Sequence, residues 1–146
     1  MYKEMVRDKR ISLGADSGST FPGGKYPNLF VFVFVPSAGH TNEENEKAAY
    51  EIIDRVRKQK VDAASLERVK TKLRADLIRK LDNNSGLATE LCTFYMNFGD
   101  WRKLFTQLDE YNRVTLDDVQ RVARTYLVDE TRTVAYTFAP PPGGAK

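Results

Sequence analysis

The run Leu29-Phe30-Val31-Phe32-Val33-Phe34-Val35 constrains the fold more than any other part of this chain. Its aromatic and β-branched side chains suit a pleated strand. Successive side chains point to opposite faces, so phenylalanine lines one face and leucine with valine the other. A strand apolar on both faces needs cover on both, which predicts a central position in a sheet. The run is far shorter than the roughly 20 apolar residues that cross a bilayer, so no membrane span is expected.

The flanking sequence supplies the rest of an α+β pattern. Tyr2 to Asp8 suits the last turns of a helix with no capping residue before it, so the chain reads as beginning inside an element. Ile11, Leu13 and Ala15 alternate with Ser12, Gly14 and Asp16, the period of a half-buried strand over Ile11 to Ser17. Gly18, Pro22, Gly23, Gly24 and Pro27 then enforce a loop. Thr41 with Glu44 forms a capping-box pattern that opens a helix whose inward stripe is Ala49, Ile52, Ile53 and Val56. A second helix over about Asp62 to Leu81 buries Leu66, Val69, Leu73, Leu77 and Leu81. Ser85 caps a third, carrying Leu87, Leu91, Phe94, Tyr95 and Phe98, and Gly99 closes it. Asp100 opens a fourth with Trp101, Leu104, Phe105 and Leu108 inward. Thr115 with Asp118 opens a fifth with Val119, Val122, Ala123 and Tyr126 inward. Arg132 to Phe138 alternates as a last strand, and Pro140 to Gly144 reads as linker or tail. The order lacks βαβ alternation, so the expectation is an antiparallel or mixed sheet covered on one side by about five amphipathic helices. Residues 1–139 form the single domain and 140–146 the tail.

Composition narrows the function. With 146 residues and 41% hydrophobic content, the chain supports one domain. The 23 basic and 20 acidic residues are interspersed, so no basic arm points to nucleic acid. A single cysteine, Cys92, rules out an internal disulfide and a multi-cysteine zinc site, and its place beside Leu91 predicts a packed, slowly reacting thiol. No G-x-S-x-G elbow surrounds any of Ser17, Ser19, Ser37, Ser65 or Ser85. The glycines at 14, 18, 23 and 24 do not fit a phosphate-binding loop. Arg68, Lys70, Lys72, Arg74, Arg79 and Lys80, with Glu67 and Asp76 among them, read as a solvated helix face, or less simply as a wall facing a peptide or partner. Phe30, Phe32 and Phe34 could stack bases, but a sheet under amphipathic helices predicts them in the core. No export signal opens these residues, and the compartment stays open.

Four stretches together carry a resemblance: Tyr2-Lys-Glu-Met-Val-Arg-Asp-Lys, Thr20-Phe-Pro-Gly-Gly-Lys-Tyr-Pro-Asn-Leu-Phe, Leu66-Glu-Arg-Val-Lys-Thr-Lys-Leu-Arg-Ala-Asp-Leu, and Gly99-Asp-Trp-Arg. In this order the chain resembles bacterial pitrilysin/insulinase-type zinc metallopeptidases over nearly its whole length. The resemblance implies one of the paired α+β domains, of roughly two hundred residues, whose halves close around a peptide-holding chamber. It matches the non-catalytic domain that follows the zinc domain, N-terminally incomplete and lacking the opening strands.

The family's zinc site is the inverted motif H-x-x-E-H, with a downstream glutamate as third ligand. This chain has one histidine. His40 begins H-x-x-E through Glu43, but Glu44 stands where the second histidine belongs, and Thr41 already accounts for the local sequence as a helix cap. The resemblance also implies, in one half of the enzyme, an arginine and a tyrosine spaced as Val6 and Leu13 are here. Neither residue type occupies those positions, and a shift by one offers Arg7 with Gly14. No catalytic, cofactor-binding or metal-binding residue is therefore assigned to this chain, and zinc is expected in the catalytic domain of the parent or partner. The expected role is scaffold and chamber wall in a protein that degrades peptides, or an assembly subunit of a member that has lost its activity. The expected partners are the zinc-bearing domain, peptide in the assembled chamber, and further copies of the chain, through pairing of an uncovered sheet edge or packing of an uncovered face.

Overall fold

The computed structural model describes residues 1–138, so the proposed tail at 140–146 lies outside the described residues. A π-helical stretch, Lys3–Asp8, precedes two strands, β1 (Ser12–Phe21) and β2 (Leu29–Pro36). Five α-helices follow: α1 (Asn42–Lys58), α2 (Ala63–Leu81), α3 (Asn84–Phe98), α4 (Lys103–Arg113) and α5 (Leu116–Tyr126). A 3-10 turn, Asp129–Thr131, comes last. The chain is α+β.

β1 and β2 form an antiparallel hairpin. Ala15 lies opposite Phe34 and Ser17 opposite Phe32 on one face, while Gly14, Asp16 and Gly18 lie opposite Val35, Val33 and Val31 on the other. A bulge at Leu13 brings Ser12 back to the face that meets Pro36. That inner face closes on a small core of Met5, Ile11, Ala48 and Ile52, against which Ala15 and Phe34 also pack.

Three expectations about the sheet are corrected. Among the described residues β2 pairs with β1 alone, so the most apolar strand is an edge and not a centre. Arg132 to Phe138 carries the strand period but joins no ladder; its side chains engage α1 instead, as described below. The sheet is not roofed by five helices either. The π-helical stretch packs on β1 and α1 on β2, with α5 behind α1, whereas α2, α3 and α4 pack on one another. The reason lies in their stripes: Leu77, Phe94 and Leu104 are buried together, with Leu81, Leu91 and Leu108 around them, and consume the apolar surface that could have faced the sheet.

The helix starts follow side-chain chemistry. Thr41 Oγ1 accepts from the Glu44 N–H at 3.2 Å, but Glu44 does not reach back to Thr41; its carboxylate turns to His40, so the capping box is half formed. At α5 the box is complete, with Thr115 Oγ1 accepting from the Asp118 N–H at 3.2 Å and Asp118 Oδ2 accepting from the Thr115 N–H at 3.0 Å. Asn83, not Ser85, caps α3, its Oδ1 accepting from the Gly86 N–H at 2.8 Å. Asp100 caps a short turn ahead of α4, accepting from the Arg102 N–H at 2.9 Å, and the helix itself begins at Lys103. Gly99 ends α3 at φ 71°, a left-handed conformation that glycine adopts without steric cost. Several residues placed inward by periodicity face out: Val69, Tyr95, Phe98, Phe105, Val122 and Tyr126 are all exposed.

Candidate functional site

His40 is the residue on which a zinc reading would have to rest. The turn at Gly39, with φ 84°, delivers it to the residue before the α1 cap. Its N–H donates to the Ser37 carbonyl at 3.0 Å, and its Nδ1 lies 2.8 Å from Glu44 Oε2. The pair spans one helical turn and sits at the surface. Zinc needs three protein donors converging on one point even where water supplies the fourth position. Among the described residues no group of three or more His, Cys, Asp or Glu side chains converges in that way. The donors around His40 therefore do not fit zinc, and Glu44 serves as a hydrogen-bond partner to the imidazole.

A second polar constellation joins distant parts of the chain. Glu46, on the first turns of α1, accepts from the Tyr50 hydroxyl through Oε1 and from the Tyr136 hydroxyl through Oε2. The Arg132 guanidinium lies 4.0 Å from the centre of the Tyr50 ring. The two phenolic donors, Tyr136 first, hold the Glu46 carboxyl below its ordinary range. Desolvation, reinforced by the hydrogen bond to Glu46, pushes the Tyr50 hydroxyl up to about 12. Tyr136 is raised as well, chiefly by its hydrogen bond to Glu46. A carboxylate accepting from two phenols at both oxygens is a poor base and a poor metal ligand. The cluster instead fastens residues 132–136 to α1.

A third constellation is buried. The Ser12 hydroxyl donates to Asn45 Oδ1, and Asn45 Nδ2 donates to the Ile11 carbonyl at 3.0 Å and the Thr41 carbonyl at 2.9 Å. Every polar atom of the Asn45 amide is thereby engaged in fixing α1 against the start of β1. Neither this network nor the Glu46 cluster was picked out by sequence reasoning. Asn45 does leave a trace, because it is a polar residue one helical turn before Ala48 and Ala49 on the stripe that continues to Ile52. Glu46 and Tyr50 are likewise one turn apart, whereas Tyr136 gives no local sign of its partner.

The other singled-out residues stay apart. Cys92 is exposed, which corrects the expectation of a packed thiol: Leu91 and Phe94 turn inward, and Cys92 lies about 100° around the helix from Leu91. Ser37 Oγ donates to the Arg10 carbonyl at 2.6 Å and Ser65 Oγ accepts from Arg68 at 3.3 Å, whereas the His40 ring is bonded to Glu44 and to neither hydroxyl. Arg7 lies with its guanidinium 5.6 Å from the Tyr2 ring centre. On α2, Lys70 pairs with Glu67 at 3.2 Å, Arg79 with Asp76 at 2.6 Å and Lys80 with Glu90 at 2.9 Å. Three of the six cations named on this face are thus paired, one of them with α3, in the manner of surface ion pairs. A cleft of about 580 Å³ between α1 and α5, lined by Asp54, Arg57, Lys58 and Arg124, has its charges similarly used. Asp54 pairs with Arg57 and Lys58, and Arg124 Nε donates to the Arg57 carbonyl at 2.7 Å. Phe30, expected in the core, is half exposed, and Phe32 and Phe34 stack along the inner face with ring centres 6.3 Å apart. No helix among the described residues is long and apolar enough to cross a membrane.

No family model matches the chain, and no curated protein matches it either. Solved structures do. A protease from Helicobacter pylori superposes with a TM-score of 0.77 at 23% identity, over 88% of this chain and 30% of that one. A Bordetella pertussis Tohama I protein assigned to the zinc proteases gives 0.72 at 22% identity, over 89% of this chain and 70% of that one. The inactive peptidase domain of a Bordetella parapertussis protein with the same assignment gives 0.74 at 22% identity, over 94% of this chain and 73% of that one. The chain therefore spans less than a third of the Helicobacter protein and under three quarters of the other two. What is shared at this identity is the fold, and that fold is zinc-protease-like.

Proposed function

We propose that this chain is a non-catalytic domain of a pitrilysin/insulinase-type zinc metallopeptidase, and that it acts as scaffold and as part of the wall of a peptide-holding chamber. The observation that carries this reading is the state of His40. The only histidine in the sequence is spent on Glu44 at a helix start, in a fold shared with an inactive peptidase domain. In this account residues 1–139 form the domain, and zinc with its activated water belongs to a separate catalytic domain or subunit carrying H-x-x-E-H. The exposed aromatic side chains of α3 to α5 are compatible with a surface built for contact and not for chemistry.

The test is affinity capture from the chain's own source organism, with captured proteins identified by mass spectrometry and metal content measured on the complex. The expected result is a zinc-loaded protein whose sequence contains H-x-x-E-H and whose peptidase activity travels with the complex. Capture of no such protein, while the tagged chain is folded, contradicts the reading.

A further inference from the structure

β2 presents an unusual combination at its free side. It has eight residues and no charged side chain, and among the described residues it has a neighbour on one side only. Leu29, Phe30, Val33 and Val35 are exposed at 62%, 51%, 55% and 49%. Edge strands that stay unpaired usually carry a lysine, an inward charge or a proline within the strand. Here the only proline is Pro36, the last residue.

The occupant can be argued from the residues. We propose that the outer edge of β2 pairs with β2 of a second copy of this chain, antiparallel across a two-fold axis. The strand is self-complementary under that operation, because alternating phenylalanine and valine meet the same alternation in reverse, and an isologous contact closes as a dimer. The four exposed side chains carry on the order of 400 Å² per copy, and edge pairing covers their flanks but not their faces, so with the backbone the interface is a small one of the weak, transient class. Stacking the two sheets face to face is the competing geometry. It is disfavoured because Asp16 stands opposite Val33 on the outer face, and stacking would bring two carboxylates into an apolar contact. Edge pairing leaves both at its margin, one strand away. This inference does not rest on the proposed function, since it concerns the strand alone.

Sedimentation velocity across the micromolar range tests it, on the full chain and on Val33→Glu, Val33→Lys and Val69→Glu. Val69 is an exposed α2 residue remote from the strand and serves as control. Dimer is expected for the unsubstituted chain and for Val69→Glu. Val33→Glu places like charges together across the two-fold and is expected to weaken association by about tenfold or more. An equimolar mixture of the Glu and Lys variants is expected to recover the dimer. A strictly monomeric chain, a dimer indifferent to Val33→Glu, or no recovery on mixing two folded variants overturns the proposal. Should a variant fail to fold, hydrogen exchange on the unsubstituted chain decides: amides of residues 30–35 are expected to exchange more slowly as concentration rises, and no concentration dependence there overturns it.

Discussion

Asn45 Nδ2 lies 3.0 Å from the Ile11 carbonyl, and this one bond ties the first helix to the start of the hairpin. The same amide accepts from Ser12 and donates to Thr41, inside a site closed to water. Asn45→Ala therefore leaves the buried Ser12 hydroxyl without its partner, at a cost of about 1–3 kcal/mol, while the Ile11 carbonyl keeps the Ser37 N–H and loses only its bond to α1. A clear drop in urea or thermal midpoint is expected, larger than that for Asn84→Ala at the exposed start of α3. Equal midpoints would show that the network contributes little.

Gly86 is where α3 begins against the end of α2. A β-carbon there would lie 1.9 Å from the Lys80 carbonyl oxygen, a backbone atom that cannot swing aside. Alanine ordinarily favours a helix over glycine by about 1 kcal/mol. At this position the sign reverses, and Gly86→Ala is expected to lower the melting temperature. The variant at Gly99, where space is open and only the left-handed backbone opposes alanine, is expected to lose about 1 kcal/mol. A stabilised Gly86→Ala would contradict the α2–α3 junction.

The Glu46 cluster predicts a pH window. Glu46 has a depressed folded value, so its contribution is present above the ordinary glutamate range near about 4.3 and is lost as pH falls through the depressed value. Tyr50 and Tyr136 have raised values, so their contribution is complete below the ordinary tyrosine value near about 10 and is lost as pH rises, for Tyr50 through about 12. The Arg132 amide, which donates to the Asp129 carbonyl, should be best protected from hydrogen exchange, after correction for the intrinsic rate, between these limits. Tyr136→Phe is expected to lower that protection at neutral pH without unfolding the five helices. Protection unchanged by the substitution would remove the clasp from the account.

Exposure of Cys92 predicts rapid labelling by a thiol reagent in native buffer, and Cys92→Ser within about 0.5 kcal/mol of the parent in stability. Labelling only after denaturation would place the opposite face of α3 inward.

What could be read from the residues was what neighbours in sequence decide. The alternation of Leu29 to Val35 and the Thr115–Asp118 box depend on residues a few positions apart, and both stand in the structure. Burial phase was legible only in part: Phe94 and Leu104 face inward as their spacing implies, while Tyr95 and Phe105, one residue further round, do not. Pairing between distant segments was not legible. Arg132 to Phe138 has the period of a strand, yet its fate is decided by Glu46, 90 residues before Tyr136. The candidate site divided similarly, since the missing histidine is visible at once, and the bond that occupies His40 requires the turn at Gly39.

The central proposal is that this chain holds no catalytic zinc of its own, and metal analysis of the purified, folded protein beside a peptide-cleavage assay tests it most directly. The account predicts well under one zinc per chain, no cleavage with zinc supplied, and no change in either on His40→Ala. One tightly bound zinc per chain that disappears with His40→Ala, or peptide cleavage by the chain alone, would contradict it.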